Sequence, residues 1–248
     1  MANKERIDKL MVQQQLAGSR DRARALILAG RVMVDERVVD KVGTQVYLEA
    51  SIRLKGEDIA FVSRGGLKLA KALELFDVVV AGRTALDVGA STGGFTDCLL
   101  QNGAAKVVAV DVGYGQLAWK LRDDDRVINL ERTNIRHLTV EQLEVIPELA
   151  VIDASFISLE KVLPATLLLL KPGSDIVALI KPQFEVGKGQ VGKGGVVRDP
   201  KQHLQVVEKI KLLATELGCQ VVEVCESPLL GPKGNREFLI HLRMEVVS

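Results

Sequence analysis

Cysteine is scarce in this sequence: Cys98, Cys219 and Cys225 are the only three among 248 residues. Their number is odd, and no Cys-x-x-Cys or Cys/His spacing joins them. That excludes a disulfide framework and a cysteine-based metal site, and leaves reduced thiols. Long apolar runs are missing too. The longest aliphatic stretch, VLPATLLLL at 162–170, is too short to cross a bilayer and carries a proline. The opening segment, MANKERIDKLMVQQQ, has no apolar signal core. The expectation is a cytoplasmic protein without membrane contact. There is also no excess of one charge: 33 Lys and Arg against 32 Asp and Glu give a net +1. Any surface for nucleic acid must therefore come from local clustering.

What is present is a substantial stock of core material, 47% hydrophobic residues, beside an ordinary 26% charged. The length suits one large α/β domain, or a medium domain with a small one. Residues 1–60 differ from the rest. ERIDKLMVQQQL has apolar residues at helical spacing, and SRDRARALILAG reads as a second helix with Ser19 as N-cap and Gly30 as stop. RVMVDERVV follows as two strands with a tight turn near Asp35 and Glu36. Arginines gather here: Arg6, Arg20, Arg22, Arg24 and Arg31 could lie along a phosphate backbone. A solvated face with paired acids is the competing reading.

The remainder alternates strand and helix from residue 83 onward. Strands are expected in TALDVGA, KVVAVDVG, RVINLE, LAVIDAS and DIVALIKP, with helices in GGFTDCLLQNG, GQLAWKLR, TVEQLEV, SLEKVLPATLLLL and PKQHLQVVEKIKLLATELG. Such alternation predicts a mainly parallel sheet covered on both faces. The last two strands, QVVEVCES and REFLIHLRM, have no helix between them and predict an antiparallel hairpin at one edge. FVSRGGLKLAKALELF joins the two parts as a helix starting near Gly65. The expected division is 1–60, a connecting helix at 61–82, and 83–248.

LDVGASTGGF stands between a strand and a helix, where Gly89, Ala90, Ser91, Gly93 and Gly94 allow a tight turn and close approach of a ligand. Alone, such a turn could take a dinucleotide, a phosphate or a methyl donor. Its spacing is not G-x-G-x-x-G, and no Lys-Ser/Thr follows as in a P-loop. Asp111 ends the next strand, placed to hold two ribose hydroxyls. Asp87 could accept from a ligand's amino group or brace the turn. Asn134 could meet a base edge or merely cap a loop. The set suits S-adenosylmethionine, which has a ribose and an amino-acid tail but no phosphate. GKGQVGKG at 187–194 mimics a P-loop spacing, yet Gly194 replaces the magnesium-binding hydroxyl. Its Lys188 and Lys193 read as a basic flap over RNA phosphate, or as a plain flexible loop; Arg64 is a further expected RNA contact.

Asp153 ends the fourth strand and Lys181 the fifth, at the ligand end of a parallel sheet and about 4.8 Å apart if the strands are neighbours. Lys68 is on the connecting helix and Glu237 begins the last strand. SRDRARALILAGRVMVDERVV resembles the alpha-L RNA-binding module. The order Lys68, Asp153, Lys181, Glu237 resembles the Lys-Asp-Lys-Glu tetrad of FtsJ-type ribose 2′-O-methyltransferases, and the two modules together resemble the TlyA family, often labelled hemolysin A. The resemblance implies a Rossmann-like S-adenosylmethionine-dependent methyltransferase, a mostly parallel seven-stranded α/β sheet with an antiparallel edge hairpin, joined to a small N-terminal α+β RNA-binding domain. It implies methylation of a ribose 2′-hydroxyl, of cytidine, in ribosomal RNA, with ribosomal subunits as partners and no metal. Lysine with its ordinary pKa of about 10.4 is a poor base at neutral pH. Burial or a second cation lowers that value and a carboxylate raises it. Lys181 is expected to take the proton or to steer the hydroxyl, Asp153 to position it and touch the donor, and Lys68 and Glu237 to hold the ribose. A salt-bridge network tying helix to strands is the bland alternative. An [Asn/Asp]-Pro-Pro-[Tyr/Phe] turn for base amines is absent, and no cysteine is placed for attack on a cytosine ring. A ribosome assembly factor without catalysis and a membrane-active cytolysin are the rival functions.

Overall fold

A computed structural model describes residues 4–55, 60–187, 189–192 and 194–246. The chain divides into two compact units, Met1–Asp58 and Ile59–Ser248. In the first, β1 (Lys4–Arg6) runs into α1 (Ile7–Gln13), followed by α2 (Arg20–Leu28), β2 (Val32–Val34), β3 (Arg37–Val39), β4 (Gln45–Tyr47) and β5 (Ile52–Leu54). β1 pairs with β4, and β2 lies between β3 and β5, all antiparallel. Ser19 caps α2 by accepting from the Arg22 amide at 3.2 Å. Asp35 and Glu36 both take positive φ, 46° and 63°, the twist a two-residue hairpin turn needs. Ile7, Leu10, Met11, Leu26, Ile27 and Val32 form the core between helices and sheet.

The second unit runs α3 (Gly65–Leu75), β6 (Thr84–Val88), α4 (Gly94–Gln101), β7 (Lys106–Val110), α5 (Trp119–Arg122), β8 (Val127–Leu130), β9 (Leu149–Ile152), α6 (Leu159–Leu167), β10 (Asp175–Ile180), α7 (Pro182–Glu185), α8 (Pro200–Glu216), β11 (Cys219–Glu226) and β12 (Phe238–Met244). The seven-stranded sheet has the order β11-β12-β10-β9-β6-β7-β8. β10, β9, β6, β7 and β8 are parallel; β12 is antiparallel to β10 and β11. Strand residues alternate between two cores. Val177 and Leu179 face Leu69, Phe76 and Leu99, while Ile176, Ala178 and Ile180 face Leu163, Val206 and Ile210. Residues of α3 therefore belong to this unit's packing.

From β6 the chain winds outward through β7 to β8, then returns to β9 on the other side of β6. Ligands of open α/β sheets bind where the strand order reverses in this way. Val88 is in register with Ile152, so the residues that follow, Gly89 and Asp153, emerge side by side. Two expected helices are shorter than their patterns. GQLAWKLR is helical only over Trp119–Arg122, because Gly115 has φ 70° and Ala118 is not helical (ψ 140°). TVEQLEV holds a single 3-10 turn, Val140–Gln142, after which Leu143 is already extended.

Candidate active site

Gly89 has φ 86°, and a Cβ there would lie 2.9 Å from the Asp153 carbonyl oxygen. Only glycine brings the turn this close to β9's exit. The adjoining cavity, about 480 Å³, is walled by Val110, Ile135 and Val162 and reached by Asp111, Asn134 and Asp153. Asp111 accepts from the Ser91 amide at 2.8 Å and the Gly113 amide at 2.6 Å, which fixes its carboxylate at the rim. Apolar walls for a flat base, with a carboxylate for neighbouring hydroxyls, fit an adenosine. Asn134 is both cap and cavity lining: its Oδ1 accepts from the Arg136 amide at 3.1 Å.

Gly89, Ser91, Asp153 and Ser155 also line a second cavity of about 640 Å³, together with Ala90, Gly94, Arg64, Lys68, Lys181 and Glu237. Asp87 and Gly93 line neither. Asp87 is fully buried under the turn and accepts from the Thr96 hydroxyl at 2.6 Å. Burial pushes its carboxyl up to about 7, with the Thr96 hydrogen bond opposing. Gly93, at φ 95°, packs against Leu117 and Leu121, where a side chain would clash.

Two lysine–carboxylate pairs stand in the larger cavity. Lys181, the first residue past β10, lies 2.5 Å from Asp153 Oδ1 and donates to Ser155 Oγ at 2.8 Å. Its remaining direction points to the Asp153 carbonyl at 3.4 Å. Lys68, on α3, lies 2.5 Å from Glu237 Oε2, just ahead of β12. Both lysines are buried, as is Glu237. Each ammonium thus has its own carboxylate, and no ligand is needed to balance the charge. Among the described residues, the buried Asp87 Oδ1 and Gln183 Oε1 lack a hydrogen-bond partner, while Asp153 Oδ1 is met by the Lys181 ion pair. Buried polar atoms are normally satisfied.

Ser155 and Gln183 escaped the sequence reading. Gln183 donates to Glu237 Oε1 at 3.3 Å. Neutral polar residues carry no periodicity; only their spacing of two from Asp153 and Lys181 could have singled them out. Phe156 was missed as well. It is 92% exposed, takes φ 63°, and stands 5.2 Å from Phe184 over a third cavity shared with Arg136 and Lys161. Cys98 is buried, its thiol pushed up to about 12 by that burial, which removes it as a nucleophile.

The proposed RNA contacts are divided. Arg6 makes two hydrogen bonds to Asp8, at 2.9 and 3.1 Å, and Arg20 a third at 2.8 Å. Arg24 is exposed and 3.9 Å from Asp21; Arg22 is half-buried on the same helix. Arg31 donates to the Lys55 carbonyl at 3.2 Å. Arg64 lines the larger cavity of the second unit. Lys188 and Lys193 lie outside the described residues.

Known proteins share this arrangement. The FtsJ-like methyltransferase family matches residues 61–244, and the S4 domain matches residues 5–51. The 16S/23S rRNA (cytidine-2′-O)-methyltransferase TlyA of Mycobacterium tuberculosis is 51% identical over 99% of this chain and 92% of its own length. Hemolysin A of Brachyspira hyodysenteriae is 40% identical over 95% of this chain and 98% of its own. The solved structure of a "putative hemolysin" from Streptococcus thermophilus superposes with a TM-score of 0.76 at 45% identity, covering 99% of this chain and 90% of that one. With this fold, this site and a relative of that identity along nearly the whole chain, the protein belongs to the FtsJ-like methyltransferases, in the TlyA branch that carries an N-terminal S4 domain.

Proposed function

We propose that the protein transfers a methyl group from S-adenosylmethionine to a ribose 2′-hydroxyl of ribosomal RNA, cytidine being the nucleoside. The observation that carries this reading is the pair of buried lysine–carboxylate couples on the wall of one cavity that opens, through Asp153 and Ser155, onto a second cavity fit for adenosine. The nucleoside and the RNA class come from the related TlyA enzyme.

When bound, S-adenosylmethionine supplies a methyl group already activated by a sulfonium. Asp111 would hold the ribose hydroxyls, Val110 and Ile135 would sandwich the base edge, and Asp153, paired to Lys181, would face the reacting end. The 2′-hydroxyl is a weak nucleophile, so the chain's work is alignment and proton removal. Lys181 is anchored by Asp153 and Ser155, so its nitrogen is fixed beside the acceptor cavity. It would orient the 2′-oxygen and, once it has released its own proton, receive the hydroxyl proton as the donor's methyl–sulfur bond breaks and the new C–O bond forms. Lys68 and Glu237 hold the sugar. Phe156 offers a ring face for a base, with Arg136 and Lys161 beside it for phosphate. The S4 domain supports an RNA larger than a nucleotide as substrate.

One test is mass mapping of ribosomal RNA incubated with the purified protein and labelled donor. A methyl on a 2′-oxygen, lost with Lys181→Ala, is expected; a methyl on a base, or no transfer, would refute the proposal. The hemolysin names of some relatives do not favour a membrane role: no helix among the described residues is long and apolar enough to cross a membrane.

A further inference from the structure

The two charged pairs of the cleft arise on separate elements, and something must fix one relative to the other. We infer that Gln183 is a positioning residue that sets the plane of the Glu237 carboxylate and ties it to Lys181. This rests on the methyltransferase reading above. Gln183 is two residues after Lys181, on α7, a four-residue turn that starts with Pro182. Its amide donates to Glu237 Oε1 at 3.3 Å, while Lys68 holds Oε2 at 2.5 Å. The two carboxylate oxygens are therefore gripped from two elements, α3 and α7. Gly231 closes the remaining side, since a Cβ there would fall on Oε1.

The amide's orientation follows from its partner, because only the NH₂ end can face a carboxylate. The carbonyl end is then buried without a hydrogen-bond partner. A buried unpaired acceptor opposes stability. An apolar side chain of equal length would avoid that cost, and a glutamate would set a second negative charge beside Glu237. Glutamine instead supplies a neutral donor, holding Oε1 without competing with Lys68 as the counter-ion. The other residues of α7 anchor the turn on its far side. Glu185 accepts from the Leu159 amide at 2.8 Å and the Ser158 hydroxyl at 2.6 Å, close after the segment that bears Asp153 and Ser155. The turn thus spans from Glu237 to the exit of β9, with Lys181 at its start.

The test uses the full chain with ribosomal RNA as acceptor. It compares the wild type, Gln183→Met, Glu237→Gln and the double variant, and measures kcat, KM for RNA, donor affinity by calorimetry and melting temperature. For Gln183→Met the expected result is a kcat lowered about tenfold, the scale of one hydrogen bond to a charged group. Donor affinity should not change, and the melting temperature should be equal or higher. In the Glu237→Gln background the same change should have no further effect on kcat, since residues acting as a unit are non-additive. Should Gln183→Met fold poorly, Gln183→Glu gives the same reading through repulsion, with a larger loss of kcat at unchanged donor affinity. An unchanged kcat in Gln183→Met, or a loss that adds in full to that of Glu237→Gln, would overturn the inference while leaving the methyltransferase reading intact. Absence of transfer by the wild type would remove both.

Discussion

Asp8 and Asp87 are fully buried aspartates, one in each unit, and their surroundings push them in opposite directions. Asp8 is drawn well below the usual carboxylate range by hydrogen bonds from Arg6, with Arg20 adding to it against the cost of burial. Asp87 has a hydroxyl for a partner and no cation, so burial raises it. The same division runs through the lysines and arginines. In the N-terminal unit two arginines close on one carboxylate, and their side chains stay 40% and 54% exposed. In the cleft both lysines are buried and both pairs line a cavity. A buried ion pair is by itself weak evidence for either stability or function. What separates the two clusters is their setting: the arginines of Asp8 reach solvent, while both lysine pairs of the second unit are buried on the wall of a cavity.

The hardest test of that difference removes the amine. Lys181→Ala should lower kcat by about a thousandfold, within the range of general acid–base catalysis, while donor affinity and melting temperature stay near wild type. If the loss instead tracks unfolding, the Lys181 pair is a structural clamp of the Asp8 kind and the contrast fails. Next in size is the opposite titration of the two aspartates. Between its ordinary value of 3.8 and about 7, folded Asp87 keeps a proton that the unfolded chain has released. By linkage, stability falls as pH rises through that window and stays lower above it. The ceiling is about 4 kcal/mol, from roughly three pKa steps. Asp87→Asn should abolish the slope, so unliganded wild type and variant should unfold alike near pH 4 and diverge by pH 8, with the variant the more stable. Denaturant unfolding at both pH values measures it; parallel curves would mean that Asp87 is ionised throughout. Asp8, held low, contributes stability that is present above the unfolded value near 4 and lost as pH falls.

How much of this could be read from the residues depends on the kind of signal each carries. Strand positions were legible because buried parallel strands are apolar runs, and the acids and lysines at their ends follow directly: Asp111, Asp153 and Lys181 each sit one residue past a strand. Glu237 was legible from the other side, one residue before β12. Ser155 and Gln183 were not, since a neutral side chain at the end of a strand or in a single turn has no period to betray it. The arginines were legible only in part. Their clustering was visible, but Asp8 sits among apolar neighbours on α1, and nothing in its spacing announces that it holds Arg6 and Arg20. Helix lengths were overdrawn at α5 because composition registers helix-forming residues and not the backbone break at Ala118.

Asp8→Ala sharpens the comparison from the other end. It removes three charge-assisted hydrogen bonds, yet the exposed guanidinium groups can return to water, so the cost should be about 2 kcal/mol, not the larger penalty of a stranded buried charge. Amide exchange should report faster opening in α1 and α2. Methyl transfer to a short acceptor oligonucleotide should be unaffected, because the described residues that line the two cavities all belong to the other unit.

The smallest effect is expected at Arg24, and it bears on what the first unit's surplus charge is for. Arg24 is exposed, and its contact to Asp21 at 3.9 Å is the i,i+3 kind that contributes a few tenths of a kcal/mol. Arg24→Ala should therefore leave the melting temperature in place. If the S4 domain's arginines meet phosphate, the same change removes one released counterion, so the slope of log affinity for ribosomal RNA against log salt should flatten by about 0.7 to 0.9. KM for RNA should rise a few-fold at low salt, and less as salt increases. Donor affinity, set in the other unit, should be the same at every salt concentration. An unchanged salt slope would place Arg24 with Arg6 and Arg20, as a residue whose charge serves the unit's own surface, and would move the search for phosphate contacts to Arg64, Arg136 and Lys161 around the cleft.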